Sequence, residues 1–205
     1  MIKHKKYPYH CAMWWEHLFL FLAWAIYYAL HSAFAATWVK SKLGLGQKNY
    51  RLLYSVLATL GLFAVLIYGA TIYSVLLFPP SPTSTYIGLM LSAVGIFIIK
   101  RAFRKYSFRA FWGLKKEEAG ELVTDGIQAK VRHPLYSGTV LLVLGYLIFN
   151  PQLSNAITFV SLLIYLPIGI RLEERKLIDE FGDTYREYQQ NVPSLVPRIF
   201  KRKQP

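Results

Sequence analysis

Apolar residues along this chain come in long blocks, separated by short polar stretches, and show no regular alternation or amphipathic stripe. Blocks of this length read as membrane crossings, because about 20 residues of helix cover a hydrocarbon core of about 30 Å. The first block covers about residues 14–38, with Trp14, Trp15 and Trp38 placed as interfacial anchors. The second covers about residues 52–78, and Pro79-Pro80-Ser81-Pro82 is expected to end it. The third covers about residues 86–99, after which residues 101–106 are expected to continue as helix into the headgroups. The last two form a hairpin, about residues 135–149 and 153–170, around a turn at Asn150-Pro151-Gln152. The first arm is short for a full crossing, and Pro167 and Gly169 are expected to interrupt the second. The fold class is therefore all-α: a polytopic membrane protein of about five transmembrane helices with a carboxyl-terminal helical hairpin.

Charge then gives the chain a direction. The net charge is +13 over 205 residues, at a mean hydropathy of +0.29. Basic residues collect in the amino-terminal tail, the first connection (Lys40, Lys42, Lys48, Arg51), residues 100–132 and the tail Lys201-Arg202-Lys203. The second connection and the hairpin turn carry none. The positive-inside rule places the first and third connections and the carboxyl-terminal tail in the cytosol. Five spans then put the amino terminus outside, against the minority vote of Lys3, Lys5 and Lys6. Those lysines and Ala33-Phe34-Ala35 imitate a signal peptide, but the apolar run exceeds an ordinary h-region and reads as a retained span. No nucleic-acid-reading motif accompanies the basic residues, so membrane lipids rather than nucleic acid are their expected partner.

Several chemistries are excluded by what is missing. Cys11 is the single cysteine, so neither an intrachain disulfide nor a multi-cysteine metal site is possible. His4, His10, His17, His31 and His133 lack ligand spacing, and no metal site is expected. No dinucleotide-binding glycine fingerprint, phosphate loop or serine nucleophile elbow occurs.

What remains is a polar pocket at helix ends, built from Arg132-His133-Pro134-Leu135-Tyr136-Ser137-Gly138 and Glu173-Glu174. Pro134 suits the first turn of a helix, which leaves the amides of Leu135 and Tyr136 free and His133 just outside. Adjacent carboxylates at an interface would hold a cation, an amine or a ribose diol; alternatively they pair with Arg171, Arg175 or Lys176. Tyr185 and Tyr188, one turn apart, would supply aromatic walls. A ligand with a positive centre, a diol and an aromatic ring fits this set, and S-adenosyl-L-methionine has all three. His31, inside the first span, is either a packing residue or a substrate contact. Glu16 and His17, near the opposite end, are expected to be solvated.

The run Leu122-Val123-Thr124-Asp125-Gly126-Ile127, the Arg132–Gly138 motif, Glu173-Glu174, Phe181-Gly182, Tyr185, Tyr188 and Val192-Pro193 resembles the isoprenylcysteine carboxyl methyltransferase family. The likeness covers about the carboxyl-terminal third. It implies an S-adenosyl-L-methionine site formed by Leu122, Val123, Gly126, His133, Pro134, Leu135, Tyr136, Glu173 and Tyr185. It divides the chain into a transmembrane scaffold, 1–121, and a cofactor-binding core with a cytosolic pocket, 122–200. Arg171 and Glu174 are the candidate catalytic residues, and Arg171 and His31 the candidate contacts to a small or lipophilic thiol or carboxylate acceptor. In that family a substrate-side arginine stands where this chain has Gly169, and an aromatic residue where it has Gln128. The amino-terminal half, with His31-Ser32, Tyr50-Arg51 and Phe111-Trp112-Gly113-Leu114, resembles bacterial NnrU-like membrane proteins and membrane thiol S-methyltransferases. That resemblance implies a bacterial inner-membrane location. Phe108 and Ala110 replace the histidine and acidic residue typical of the thiol enzymes. The rival readings are a non-catalytic membrane accessory protein and an NADPH-dependent reductase of the sterol-reductase kind.

Overall fold

The structure, a computed structural model, describes residues 9–35, 39, 44, 46–104 and 122–198. Six helices occur among them: α1 (Tyr9–Ala35), α2 (Gln47–Thr71), α3 (Pro82–Phe103), α4 (Pro134–Phe149), α5 (Leu153–Phe181) and α6 (Asp183–Asn191). Of these, α1, α2, α3 and α5 are long and apolar enough to cross a membrane. The 16 residues of α4 extend about 24 Å, short of a full crossing as expected. The chain is a polytopic all-α membrane protein. Its outer faces carry exposed Phe19, Leu60, Phe63, Ile67, Met90 and Phe97, a surface suited to lipid.

α1 is the hub for α2 and α5, while α3 packs along α4. Leu20, Trp24 and Val65 form the core between α1 and α2. Trp24 Nε1 donates to Thr158 Oγ1 on α5 at 3.0 Å. Such a bond satisfies an indole N–H where no water is present.

α3 and α4 meet backbone to backbone. A Cβ at Gly88 would lie 2.6 Å from the Gly145 carbonyl oxygen, and one at Gly95 would lie 2.6 Å from that of Gly138. Without a hydrophobic effect between helices in lipid, this close approach is what holds the pair. Gly61 and Gly69 differ. They face side chains, Tyr27 and Leu20, rather than a second backbone.

Four features depart from the sequence expectation. α2 stops at Thr71, well before the prolines. Residues after it run extended instead, pairing with the hairpin turn through Leu77 N to Pro151 O at 2.8 Å and Leu153 N to Val75 O at 2.9 Å. Pro82 does not terminate a helix but opens α3, at the first helical position after Ser81, whose side chain completes a capping box with Ser84. α5 runs unbroken through Pro167 to Phe181. Pro167 sits on an exposed face, where losing one N–H bond leaves the rest of the ladder intact. Finally, His17 is buried and bonded through Nε2 to Ser74 Oγ at 3.1 Å, not solvated. Ser74 Oγ also accepts from Ser154 N at 2.9 Å, so this cluster pins the extended segment to α1 and α5. Trp14 and Trp15 are exposed at the helix end, as interfacial anchors should be. Trp38, Lys40, Lys42, residues 105–121 (including Phe108, Ala110 and Phe111–Leu114) and the tail 199–205 lie outside the described residues.

Gly95→Ala should lower stability by about 1–3 kcal/mol, since the added carbon meets backbone that cannot move aside. Gly61→Ala should be close to neutral, because a ring at 3.2 Å can yield. Thermal unfolding of both variants in detergent micelles checks this, and equal losses would contradict it.

Candidate functional site

The site forms where α4 begins and α5 leaves the apolar layer. Gly126, at φ +65, makes the turn that a side chain would strain, and the chain then folds back through Val131 N to Ile127 O at 3.2 Å. Leu122 and Val123 are half-buried on the approach. Pro134 is the first residue of α4, so the amides of Leu135 and Tyr136 have no partner within the helix.

Arg132 is the most heavily committed side chain. Its Nε and Nη2 reach Glu174 Oε1 at 2.9 and 2.7 Å. Its Nη1 donates to the carbonyls of Gln189, at 3.0 Å, and Val192. The other oxygen of Glu174 accepts from Gln189 Nε2 at 3.0 Å. His133, 4% exposed, lies between the two carboxylates: Nε2 is 3.0 Å from Glu174 Oε1 and Nδ1 is 3.6 Å from Glu173 Oε2. The neighbours thus differ in kind. Glu174 (side chain 14% exposed) is saturated by Arg132, His133 and Gln189, whereas Glu173 (46% exposed) keeps one carboxylate face open.

Aromatic groups complete the surround. The Tyr136 ring centroid is 5.6 Å from that of His133, and its hydroxyl reaches towards Glu173. Tyr185, 1% exposed, packs edge-on against Tyr188, whose hydroxyl donates to the Gln128 carbonyl at 2.6 Å. Gly182, at φ +58 and ψ −130, allows α5 to turn directly into α6. Beyond α6 the chain straps the start of α4: Arg132 N to Pro193 O at 2.9 Å, His133 N to Ser194 O at 3.0 Å, and Ser137 Oγ to Leu195 O at 2.6 Å.

Most of the residues expected from the sequence meet here: Leu135, Tyr136, His133, Pro134, Glu173, Glu174 and Tyr185. Arg171 does not join them; it is exposed and has no polar partner among the described residues. His31 lies at the α1–α2 interface, with the Tyr54 hydroxyl 3.2 Å from its ring nitrogens. Lys176, which also faces Glu173, ties α5 to the end of α1 by donating to the Ala35 carbonyl. Of the alternative partners for the glutamates, Arg171, Arg175 and Lys176, Lys176 alone faces Glu173, and the hydrogen bonds and ion pairs go to Arg132 and His133. Gln189 and the Pro193–Leu195 carbonyls were not anticipated as partners. The prolines at 193 and 197 were their signal, marking chain that cannot continue α6. Gln128 is buried, and neither atom of its amide has a partner among the described residues.

Burial pulls the His133 pKa down, but the hydrogen bonds and charges of Glu173, then of Glu174, outweigh it and hold the value above the usual 6.5. The folded state therefore prefers the imidazolium. Its contribution is complete below pH 6.5 and is lost as pH rises through the elevated folded value. Melting temperature should accordingly fall from pH 6.5 upward in the native chain, and His133→Asn should flatten that slope. An unchanged slope in the variant would assign the dependence to other groups.

The sequence model of the NnrU protein family matches residues 19–199. Protein-S-isoprenylcysteine O-methyltransferase of Schizosaccharomyces pombe is 37% identical over 95 residues, 45% of this chain and 40% of that protein. Methanethiol S-methyltransferase 2 of Bradyrhizobium diazoefficiens is 40% identical over 80 residues, 36% of this chain and 27% of that protein. A probable protein-S-isoprenylcysteine O-methyltransferase of Oryza sativa subsp. japonica is 34% identical over 119 residues, 56% of this chain and 62% of that protein. The chain thus covers less than two thirds of the length of each. The family match, by contrast, runs from within α1 to the strap beyond α6 and takes in both halves of the site, so the chain belongs to the NnrU protein family.

Proposed function

We propose that this chain is an integral-membrane methyltransferase that binds S-adenosyl-L-methionine at the cytosolic end of α4 and α5 and methylates a small or lipophilic acceptor. The observation that carries this reading is the unequal pair of carboxylates. Glu174 is spent on Arg132, His133 and Gln189, while Glu173, fixed by that same network, remains available to a ligand. The names of the relatives, an O-methyltransferase and an S-methyltransferase, both support methyl transfer.

The donor set fits the cofactor. The open carboxylate of Glu173 suits an amine or a diol, and the free amides of Leu135 and Tyr136 at a helix amino terminus suit a carboxylate. Leu122 and Val123 offer apolar contact, Gly126 lets the backbone turn close by, and Tyr136 gives an aromatic surface. When bound, the cofactor supplies an electrophilic methyl group on sulfur. The chain's own contribution is alignment and exclusion of water, which suffice for a displacement between two held reactants. His133, Pro134 and Tyr185 act as the frame that keeps Glu173 and the α4 amides in place. Glu174, first expected to be catalytic, serves in this reading to position Arg132 and His133. Arg171, exposed two residues before Glu173, stands apart from this network.

Calorimetry on detergent-purified protein should show S-adenosyl-L-methionine binding that Glu173→Ala abolishes, while the melting temperature falls less than it does in Glu174→Ala. Unchanged affinity in that variant would overturn the assignment. Glu174→Ala should instead destabilise the fold by about 3 kcal/mol, because it strands the Arg132 guanidinium. Incubation with radiolabelled cofactor and native lipid extract should give a labelled product; binding without transfer would support a non-catalytic accessory role.

A further inference from the structure

A second group of ionisable side chains lies beside the Arg132–Glu174 network, at the same end of the bundle. His31 stands one turn before the end of α1, and Tyr54 early in α2. The Tyr54 hydroxyl is 3.2 Å from both ring nitrogens of His31, and the Tyr27 ring stacks on the imidazole at 5.9 Å.

Two lines of contact join this pair to the open carboxylate. Tyr54 is in electrostatic contact with Tyr136, whose hydroxyl reaches towards Glu173. Lys176 is in electrostatic contact with both His31 and Glu173, and its ammonium donates to the Ala35 carbonyl, one turn beyond His31. Glu173 and Lys176 share a face of α5, being three residues apart. An acceptor that approaches Glu173 from the α1 side therefore meets His31 and Tyr54.

His31 differs from the other acid–base groups around it. His133 is held between two carboxylates that favour its imidazolium, and Glu174 is saturated. His17 is bonded to Ser74 at the opposite end. The Tyr54 hydroxyl serves one imidazole nitrogen at a time. When the nitrogen facing it carries the proton and donates to the hydroxyl oxygen, the other presents a lone pair.

We propose that His31 is the proton acceptor of the reaction and that the methyl acceptor is a thiol. This rests on the methyl-transfer reading above and adds a catalytic residue to it. A carboxylic acid is already ionised at neutral pH and needs no base, and an alcohol is too weak an acid for imidazole. A thiol ionises near about pH 8.5 and imidazole near about pH 6.5, close enough for transfer between them. The S–H proton passes to the free nitrogen of His31, and the electron pair left on sulfur forms the bond to the methyl carbon. The bond from that carbon to the sulfonium breaks, with both electrons on the departing sulfur. The imidazolium then gives its proton to water. Tyr54 is a positioning residue, since it fixes which nitrogen is free. Lys176, cationic and adjacent, favours the thiolate as it forms.

The test uses the full chain in detergent, radiolabelled S-adenosyl-L-methionine and two aromatic thiols of similar size. At about pH 7.5 phenylmethanethiol is protonated, whereas 4-nitrothiophenol is already ionised. His31→Gln keeps a hydrogen-bonding group opposite Tyr54 but accepts no proton. It should lower kcat for phenylmethanethiol by about a hundredfold or more, and for 4-nitrothiophenol by less than about threefold. Tyr54→Phe should show a smaller loss with the same preference. Equal losses on the two thiols, or none, would overturn the base role, because a packing defect does not distinguish them. The nitrogen NMR spectrum of histidine-labelled protein with sinefungin, a non-reacting cofactor analogue, gives a readout independent of turnover. Phenylmethanethiol should move the His31 signals, identified by their absence in His31→Gln, and benzyl methyl sulfide, which lacks the proton, should not. Identical responses to both would overturn the proposal. Cofactor binding by calorimetry with transfer to neither thiol refutes this inference alone; no cofactor binding refutes methyl transfer and this inference with it.

Discussion

The arrangement at the site depends on the pairing of Arg132 with Glu174. A guanidinium drawn from water at the edge of a membrane protein is held only if its donors are met, since a half-broken pair leaves an uncompensated charge. Here Nε and Nη2 meet one carboxylate oxygen, and Nη1 meets the carbonyls of Gln189 and Val192. Those partners belong to the end of α5 and the end of α6, so one side chain fixes three chain segments. Because successive helix residues point about 100° apart, turning Glu174 inward to Arg132 turns Glu173 toward the open side. The same constraint traps His133 between the two carboxylates and brings residues 193–195 across the start of α4.

The opposite end of the molecule is held by hydrogen bonds. His17, Ser74 and the Ser154 amide form one cluster, and the backbone pairing of residues 75–77 with 151–153 forms another. Between the two ends, α3 and α4 rely on glycine contacts and α1 with α2 on Leu20, Trp24 and Val65. α5 runs through both ends without interruption, and it carries Thr158, Tyr165 and Glu173 at successive depths. It is therefore the member that relates the site to the membrane.

How much of this was legible follows from which features are local. Apolar blocks are local, and the hairpin and the spans were readable from them. The start of α3 was readable too: Ser81 and Pro82 form a cap followed by a proline at the first position, a start signal that a cluster of prolines disguised as a stop. The end of α2 was not readable, because Thr71 ends the helix only in view of the pairing that residues 75–77 make with a turn far along the chain. The burial of His17 has the same origin. At the site, two adjacent glutamates and a His-Pro motif announced a polar pocket. Which glutamate would be consumed was hidden, since that depends on the rotation of α5 and on a strap whose own partners are backbone carbonyls.

The distribution of charge through the fold restricts where chemistry can occur. From residue 153 to residue 170, α5 contains no charged side chain; its first are Arg171, Glu173 and Glu174. Polar groups at greater depth include hydroxyls and rings paired with one another, such as Trp24 with Thr158 and Ser32 with Tyr165. Charges are confined to the end because an ion in the apolar layer would be stabilised only by a partner brought with it. A charged, water-soluble ligand can therefore approach Glu173 only from the aqueous side. An apolar ligand can approach along the lipid-facing sides of the helices. Tyr136 stands where these two environments adjoin, with an aromatic body suited to lipid and a hydroxyl that reaches towards Glu173. A bundle built this way offers a polar ligand and an apolar one a common boundary without admitting either to the other's solvent.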